Sequence, residues 1–168
     1  MSPKNSSATI KIHKLFKEKL KNKRISKIYK TFEKSLKINK SFVVAVSGGP
    51  DSLALAFLAK LYSVKKKINS KFFIVDHKLR KESTLEASFT KRILRKIFIN
   101  SEILTWKGPK PSTNIQALAR KKRYELLVSK CNQLDINNIL LGHHQDDLFE
   151  NFFIRLLRGS GLKGLVSL

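Results

Sequence analysis

The sequence predicts an α/β fold, a doubly wound parallel sheet with helices on both faces, preceded by a basic helical extension. Three observations lead there. Short apolar runs rich in β-branched and aromatic residues, Phe42–Val46, Lys71–Asp76, Glu102–Trp106 and Asn138–Leu141, alternate with segments of helical periodicity. A small polar turn, Ser47–Ser52, joins the first run directly to an apolar helical segment. Polar, chemistry-bearing residues gather immediately after three of the runs, at Ser47–Ser52, Asp76–Arg80 and Gly142–Asp147. Strand–helix alternation builds a parallel sheet through crossover helices, and such sheets bind ligands beyond the carboxyl ends of their strands.

Taken in order, residues 1–40 hold 13 Lys or Arg against Glu18 and Glu33 alone. Ile12, Leu15, Phe16 and Leu20, then Ile25, Ile28, Tyr29, Phe32 and Leu36, recur at helical spacing, which gives one or two amphipathic helices with basic outer faces. A solvated helix face, an arm that contacts RNA phosphates and a membrane-surface helix all fit that pattern. Residues 41–168 then read as one domain. Its helices are expected over Leu53–Leu61, over Glu82–Phe98 with Leu85, Phe89, Ile93 and Ile97 in one stripe, and from a capping box at Thr113 and Gln116 to about Leu134. Asp146–Leu157 makes a further helix before the Gly-rich tail GSGLKGLVSL, and no internal repeat is visible.

A chain of 168 residues suits a single core that buries about 70% of the unfolded surface. Its 35 Lys plus Arg against 12 Asp plus Glu give a net charge of +23, an excess that opposes compaction and calls for a polyanion. Nucleic acid, an anionic membrane surface and plain solubility each account for it, nucleic acid best. The single cysteine, Cys131, falls on a helical apolar pattern and reads as packing, so a disulfide, a CxxC site or a cysteine zinc site within the chain is excluded. Neither a signal peptide nor a membrane-spanning run is present, and a cytoplasmic protein is expected.

The stretch Ser41–Leu61 carries the clearest chemistry. Gly48 and Gly49 let the backbone take positive φ and let an anion approach its N–H groups. Behind them a helix begins with unpaired N–H groups and its positive dipole end, and Pro50 suits the first helical position. Ser47 and Ser52 add hydroxyls, while Asp51 adds a carboxylate that repels phosphate unless a cation such as Mg²⁺ lies between them. An ordinary strand-to-helix turn is the bland alternative; six suitable residues in this context favour the phosphate reading. Two familiar phosphate motifs are excluded, because there is no G-x-G-x-x-G and no Lys follows the glycines. Instead SGGPDS resembles the PP-loop of the N-type ATP pyrophosphatases, which implies cleavage of ATP to AMP and pyrophosphate with adenylylation of a carbonyl oxygen.

Further candidates lie at the other strand ends. In GHHQDDLFEN, His143 and Asp147 are four apart, as are Asp146 and Glu150, so each pair can share a helical face; Asp146 and Asp147 also suit a helix N-terminus for dipole reasons alone. His77 directly follows a buried strand and serves either packing or a ligand. Arg120 and Arg123 share a helical face beside Tyr124, an arrangement that suits a nucleotide as well as solvent.

SGGPDS, DHKLR followed by Glu82 and Ser83, ALARKKRY, GHHQDDLFEN and RLLRGSGLKGL together resemble, in order and spacing, the bacterial tRNA(Ile)-lysidine synthetases over about residues 42–168. That resemblance implies an enzyme that uses ATP to adenylylate the ring carbonyl of the first anticodon cytidine in tRNA(Ile) bearing CAU, after which the ε-amine of free lysine displaces AMP. It implies ATP contacts at Ser47, Gly48, Gly49, Pro50, Asp51 and Ser52, which His77 and His143 join; Mg²⁺ at Asp51 and Asp147; and a catalytic set of Asp51, Asp146, Asp147, Glu150, Arg120 and Arg123. No membrane partner is implied, and the oligomeric state stays open between monomer and homodimer. Lys78 stands where the family usually has Gly, so a different local turn is expected, and Asn151 replaces a usual Thr. Family members continue past the Gly-rich loop into parts that grip tRNA, so the expectation is a fragment, incomplete at its C-terminus, or a split or degraded copy. Two rivals remain: another PP-loop enzyme modifying tRNA or nucleotides, which a single cysteine disfavours for sulfur transfer, and a non-catalytic ATP- or RNA-binding module.

Overall fold

Four short parallel strands, joined by crossover helices, organise the chain. The computed structural model describes residues 4–108 and 115–142. In chain order the elements are α1 (Lys4–Leu20), α2 (Lys23–Ser35), β1 (Phe42–Ala45), α3 (Pro50–Lys66), β2 (Ser70–Asp76), α4 (Ser83–Lys96), β3 (Glu102–Thr105), α5 (Ile115–Gln133) and β4 (Asn138–Leu141). The sheet order is β3-β2-β1-β4, with Phe42 opposite Ser70 and Asn138, and Ala45 opposite Phe73 and Leu141. The α/β doubly wound reading of the sequence is thus the observed fold. Two predicted helical or capping features, Asp146–Leu157 and the Thr113–Gln116 box, lie outside the described residues.

Period-two alternation along the strands builds two cores. Phe42, Val44, Val46, Phe72 and Ile74 face α3 and α4. Val43, Phe73 and Leu104 face α5, through Leu127 and Cys131. Phe42, Val43 and Val44 have no exposed surface, and burial of each side chain contributes about 1.5–3 kcal/mol. Because α3 and α4 cover one face and α5 the other, the winding direction reverses between β1 and β4. That reversal is the topological switch point, where a crevice opens at the carboxyl ends.

On the α3 face a further helical layer is added. Asn22 Oδ1 accepts the Arg24 and Ile25 N–H groups at 2.9 and 3.3 Å and so starts α2. Ile12, Phe16 and Tyr29 are buried in the same core as β1, as the helical spacing of the sequence predicts. Phe16 meets Phe57 edge to face at 5.3 Å, and Phe32 meets Tyr62 at 6.3 Å. The Tyr62 hydroxyl donates towards two linker carbonyls, Leu36 at 3.1 Å and Ile38 at 2.7 Å, and so fixes the path from α2 into β1.

In α4 the predicted stripe holds only at its end, where Ile97 packs against the core and Ile93 is half-buried. Leu85 and Phe89 are 72% and 54% exposed, while the buried residues are Ser83, Ala87, Thr90 and Leu94. The physical reason is distance: the first turns of α4 lie close against the end of β2 and the loop after β1, where Ser83, Ala87 and Thr90 fit, and a large side chain enters the core only farther along, at Leu94. Cys131 is buried, as its pattern indicates.

Tyr62→Phe removes the tie between α3 and the α2–β1 linker without creating a cavity. It should lower unfolding stability by about 1–2 kcal/mol with an unchanged denaturant m-value, read by urea titration.

Candidate active site

The site begins where β1 ends. Val46 still donates its N–H to the Phe73 carbonyl at 2.8 Å, and the chain then leaves the sheet. Gly48 takes φ +94°, and a Cβ there would lie 2.4 Å from Thr90 Oγ1 of α4, so the position is closed to any side chain by backbone and space alike. Gly49 is the extended N-cap of α3, Pro50 sits in its first turn and Asp51 follows. Ser52 is buried, and its hydroxyl closes the loop upon itself. It donates to the Gly49 carbonyl at 2.9 Å and receives the N–H groups of Ser47 and Gly48 at 3.2 and 3.1 Å, with the Ser47 hydroxyl at 3.1 Å. The opening N–H groups of α3 have no intrahelical partner, and with the helix dipole they favour an anion in front of the loop.

The second wall is the segment after β2. Asp76 is 2% exposed and accepts hydrogen bonds from Ser83 Oγ (2.8 Å), Thr84 Oγ1 (2.7 Å) and the Lys78 N–H (3.0 Å). Burial pushes its carboxyl up, but the bonds from Thr84, Ser83 and Lys78, with the Lys78 charge, outweigh burial and hold it below the ordinary carboxylate value. The N-cap of α4, Glu82, makes no side-chain cap bond, so Asp76 ties the start of that helix to the strand end instead. Lys78 has φ +50°, the left-handed conformation that glycine adopts without strain.

His77 Nδ1 accepts the Leu79 N–H at 3.2 Å, which leaves the ring proton of the neutral imidazole on Nε2. Burial lowers its pKa first, and the charges of Arg123 and Arg80 lower it further, against Asp76 and Glu86. Arg80 pairs with Glu86 at 3.0 Å; both side chains are more than half exposed, so the pair contributes little stability.

From the other face α5 brings Arg123 and Tyr124, and β4 ends in Leu141 and Gly142. A Cβ on Gly142 would lie 2.8 Å from Ser52 Cα, so this glycine lets the end of β4 press against the start of α3. These segments enclose a cavity of about 300 Å³ at the switch point. A neighbouring cavity of about 330 Å³ is lined by His77, Leu79, Arg80, Arg120, Arg123 and Tyr124.

Of the residues expected from sequence, Ser47, Gly49, Asp51, Ser52, His77 and Arg123 line the first cavity. Gly48 and Pro50 form its loop, and Arg120 lines the second cavity. His143, Asp146, Asp147 and Glu150 lie outside the described residues. Among the described residues no group of three His, Cys, Asp or Glu could hold a metal ion. Sequence reasoning placed Asp76 and Gly142 at the strand ends that converge on the site and Ser83 in a motif but gave them no role, and it missed Glu86 and Thr90. An acid closing a buried strand, followed by Ser-Thr, was the available signal for Asp76.

A family model described as a PP-loop domain matches residues 17–168. Over 129 residues the chain is 48% identical to the tRNA(Ile)-lysidine synthase of Orientia tsutsugamushi, a match covering 77% of this chain and 29% of that protein. It is 42% identical over 130 residues to the tRNA(Ile)-lysidine synthase of Rhodopseudomonas palustris, covering 76% of this chain and 38% of that protein. The chain thus spans about three to four tenths of the length of these relatives. Among solved structures, the U34-tRNA thiolase NcsA from Methanococcus maripaludis with its 4Fe-4S cluster superposes with a TM-score of 0.68 at 20% identity, over 84% of this chain and 53% of that one. At that identity the likeness shows the fold alone.

Two outcomes test the geometry. The His77 imidazole should titrate by NMR with a midpoint below 6.5. Because its folded pKa is lowered, its contribution to stability is present above about pH 6.5 and is lost as pH falls towards the folded value. Gly48→Ala should cost stability by about 1–3 kcal/mol, from the left-handed φ and the collision with Thr90, whereas Gly49→Ala, where a Cβ meets nothing closer than 3.8 Å, should cost much less.

Proposed function

The chain belongs to the PP-loop domain family, and from that membership we propose that it is the nucleotide-binding part of a ligase that modifies tRNA(Ile) bearing CAU, forming lysidine from ATP and free lysine. The observation that carries the reading is the switch-point cavity, where SGGPDS, the segment from Asp76 to Arg80 and the end of β4 converge. Identity of 40–48% to the lysidine synthases across about three quarters of the chain supports the substrate assignment.

The chemistry demanded of the site has two displacements. The cytosine ring carbonyl oxygen attacks the α-phosphorus of ATP, and the bond to pyrophosphate breaks. The ε-amine of lysine then attacks the same ring carbon, loses a proton, and the carbon–oxygen bond to AMP breaks. A ring carbonyl is a poor electrophile, and adenylylation supplies the leaving group that makes the second step feasible.

In this reading Ser47, Gly48, Gly49, Pro50, Asp51 and Ser52 hold the pyrophosphate end against the N-terminus of α3. His77, with its Nε2–H, donates to the nucleotide, and His143 contacts it from beyond the described residues. Arg123, shared by both cavities, bridges nucleotide and RNA, with Arg120 on the RNA side. The exposed Asp51 carboxylate fits Mg²⁺, which takes one or two carboxylates together with phosphate oxygens. Asp51 and Asp147 would hold the ion, whose positive charge would offset the charge on departing pyrophosphate. Asp147, beside Asp146 and Glu150, orients the lysine amine or accepts its proton.

A sulfur-transfer reaction is disfavoured by Cys131, the chain's one cysteine. It is packed among Val43, Phe73, Leu127 and Ile136, and burial pushes its thiol pKa up, away from the reactive thiolate.

Asp51→Ala should weaken Mg²⁺-ATP binding about tenfold or more by calorimetry; unchanged affinity would remove Asp51 from the site. In a protein that joins this chain to the remaining length its relatives carry, labelled lysine should enter tRNA bearing CAU only when ATP is present. Asp147→Asn should spare tRNA binding yet suppress incorporation. If lysine never enters the tRNA while another amine or a sulfur donor does, the assignment is wrong.

A further inference from the structure

We propose that the outer face of α2 is a docking surface for the phosphate backbone of RNA. Lys23, Lys27, Lys30 and Lys34 follow one another at helical spacing on that face, all exposed. At 1.5 Å per residue their stripe is about 16 Å long, enough for several consecutive phosphates. With Leu20 and Lys21 they line a groove of about 450 Å³ between α2 and the end of α1.

Two features leave this stripe uncommitted. Of the hairpin's two acids, Glu33 is drawn to α3, where Lys65 and Lys66 reach it at 2.8 and 3.8 Å. Among the described residues no ion pair involves Lys21, Lys23, Lys27, Lys30 or Lys34. These lysines do no structural work by pairing, yet their mutual repulsion costs folding stability, an arrangement that a polyanion relieves.

The burial pattern favours RNA over a membrane. An interfacial helix needs a free apolar face to enter the lipid, and here that face is spent internally. Ile12, Phe16 and Tyr29 are buried, and Phe32 packs on Tyr62; on α2 only Ile28, at 56% exposure, remains as a large exposed aliphatic.

The proposal rests on the tRNA-substrate reading only for the identity of the polyanion. Its test is fluorescence anisotropy of tRNA bearing CAU with the 168-residue chain, across a salt series from about 50 to 200 mM. Replacing Lys23, Lys27, Lys30 and Lys34 with Gln should lower affinity more than tenfold at low salt. It should also flatten the slope of log K against log salt by about three, the release expected from four phosphate contacts. Circular dichroism and an unchanged Mg²⁺-ATP affinity should show the variant folded, with Lys27→Glu as a milder second variant expected to lose affinity in the same sense.

The comparison variant replaces Lys91, Arg92, Arg95 and Lys96 of α4, equally exposed, with Gln and removes the same charge. Equal losses from the two variants would mean that bulk charge binds RNA, and the surface would be refuted. So would an unchanged slope in the α2 variant, absence of tRNA binding by the unaltered chain, or dependence on the stripe for binding phosphatidylserine vesicles but not tRNA. Stripe-dependent tRNA binding without lysine incorporation would overturn the enzymatic reading and leave the docking surface standing; lysine incorporation with unaltered binding by the α2 variant would do the reverse.

Discussion

The Ser52 hydroxyl is the interaction on which the site depends. It gathers the N–H groups of Ser47 and Gly48 and the carbonyl of Gly49 around one oxygen, and so sets the turn between β1 and α3. The turn can be this tight only because its neighbours give way. Gly48 leaves room for Thr90, and Gly142 leaves room for the backbone of Ser52 itself. Three strand ends and two helices therefore crowd the N-terminus of α3, and with Ser47 and Gly48 already bonded, what α3 presents outward is its own opening N–H groups. An anion-binding face of this kind is preorganised: the loop is held by its own serine before any ligand arrives.

Much of this was legible because the strands announce themselves. Asn138–Leu141 is observed as read, and the strands at Phe42 and Lys71 shift by a single residue at one end. β-Branched and aromatic runs bounded by polar residues leave little choice in a sheet buried on both faces. The loop was equally clear, since glycines, proline and hydroxyls stood between a strand and a helix. The face of α4 was not. Its core side is Ser83, Ala87, Thr90 and Leu94, which carries less hydrophobicity than the exposed Leu85 and Phe89 opposite. Apolar periodicity finds the buried face when helices pack through large side chains, and misleads when close approach demands small ones. The bonds of Asp76 were hidden for a related reason: its partners Ser83 and Thr84 are distant from it in sequence by most of a loop, and only folding brings their hydroxyls to one carboxylate.

The positive charge is distributed with purpose in the described residues. In the core-facing layers cations are scarce, and Lys60, partly buried on α3, has its pKa lowered by burial, which shows what that environment costs an ammonium group. Elsewhere charges sit outside the apolar stripes, as on α2, or at the cavity mouths, as with Arg80, Arg120 and Arg123. Arg80 and Arg123 have a second effect. Together with burial they keep His77 neutral, so the ring presents a hydrogen-bond donor at Nε2 without adding a further cation to an already positive rim.

Likeness of fold to a tRNA thiolase at 20% identity raises the question of where, in such a chain, the nature of the nucleophile is decided. A PP-loop on a switch-point crevice commits the protein to the phosphate end of ATP and to nothing beyond it. What else the crevice can take is set by the elements that surround the loop, α5 among them. In this chain α5 presents Arg120, Arg123 and Tyr124 there, while its cysteine points into the second core behind the sheet, among Leu127 and Ile136. A thiol so placed cannot reach an intermediate in the crevice without unpacking α5. The same helix that gives the site its guanidinium groups thereby keeps its own sulfur out of the crevice.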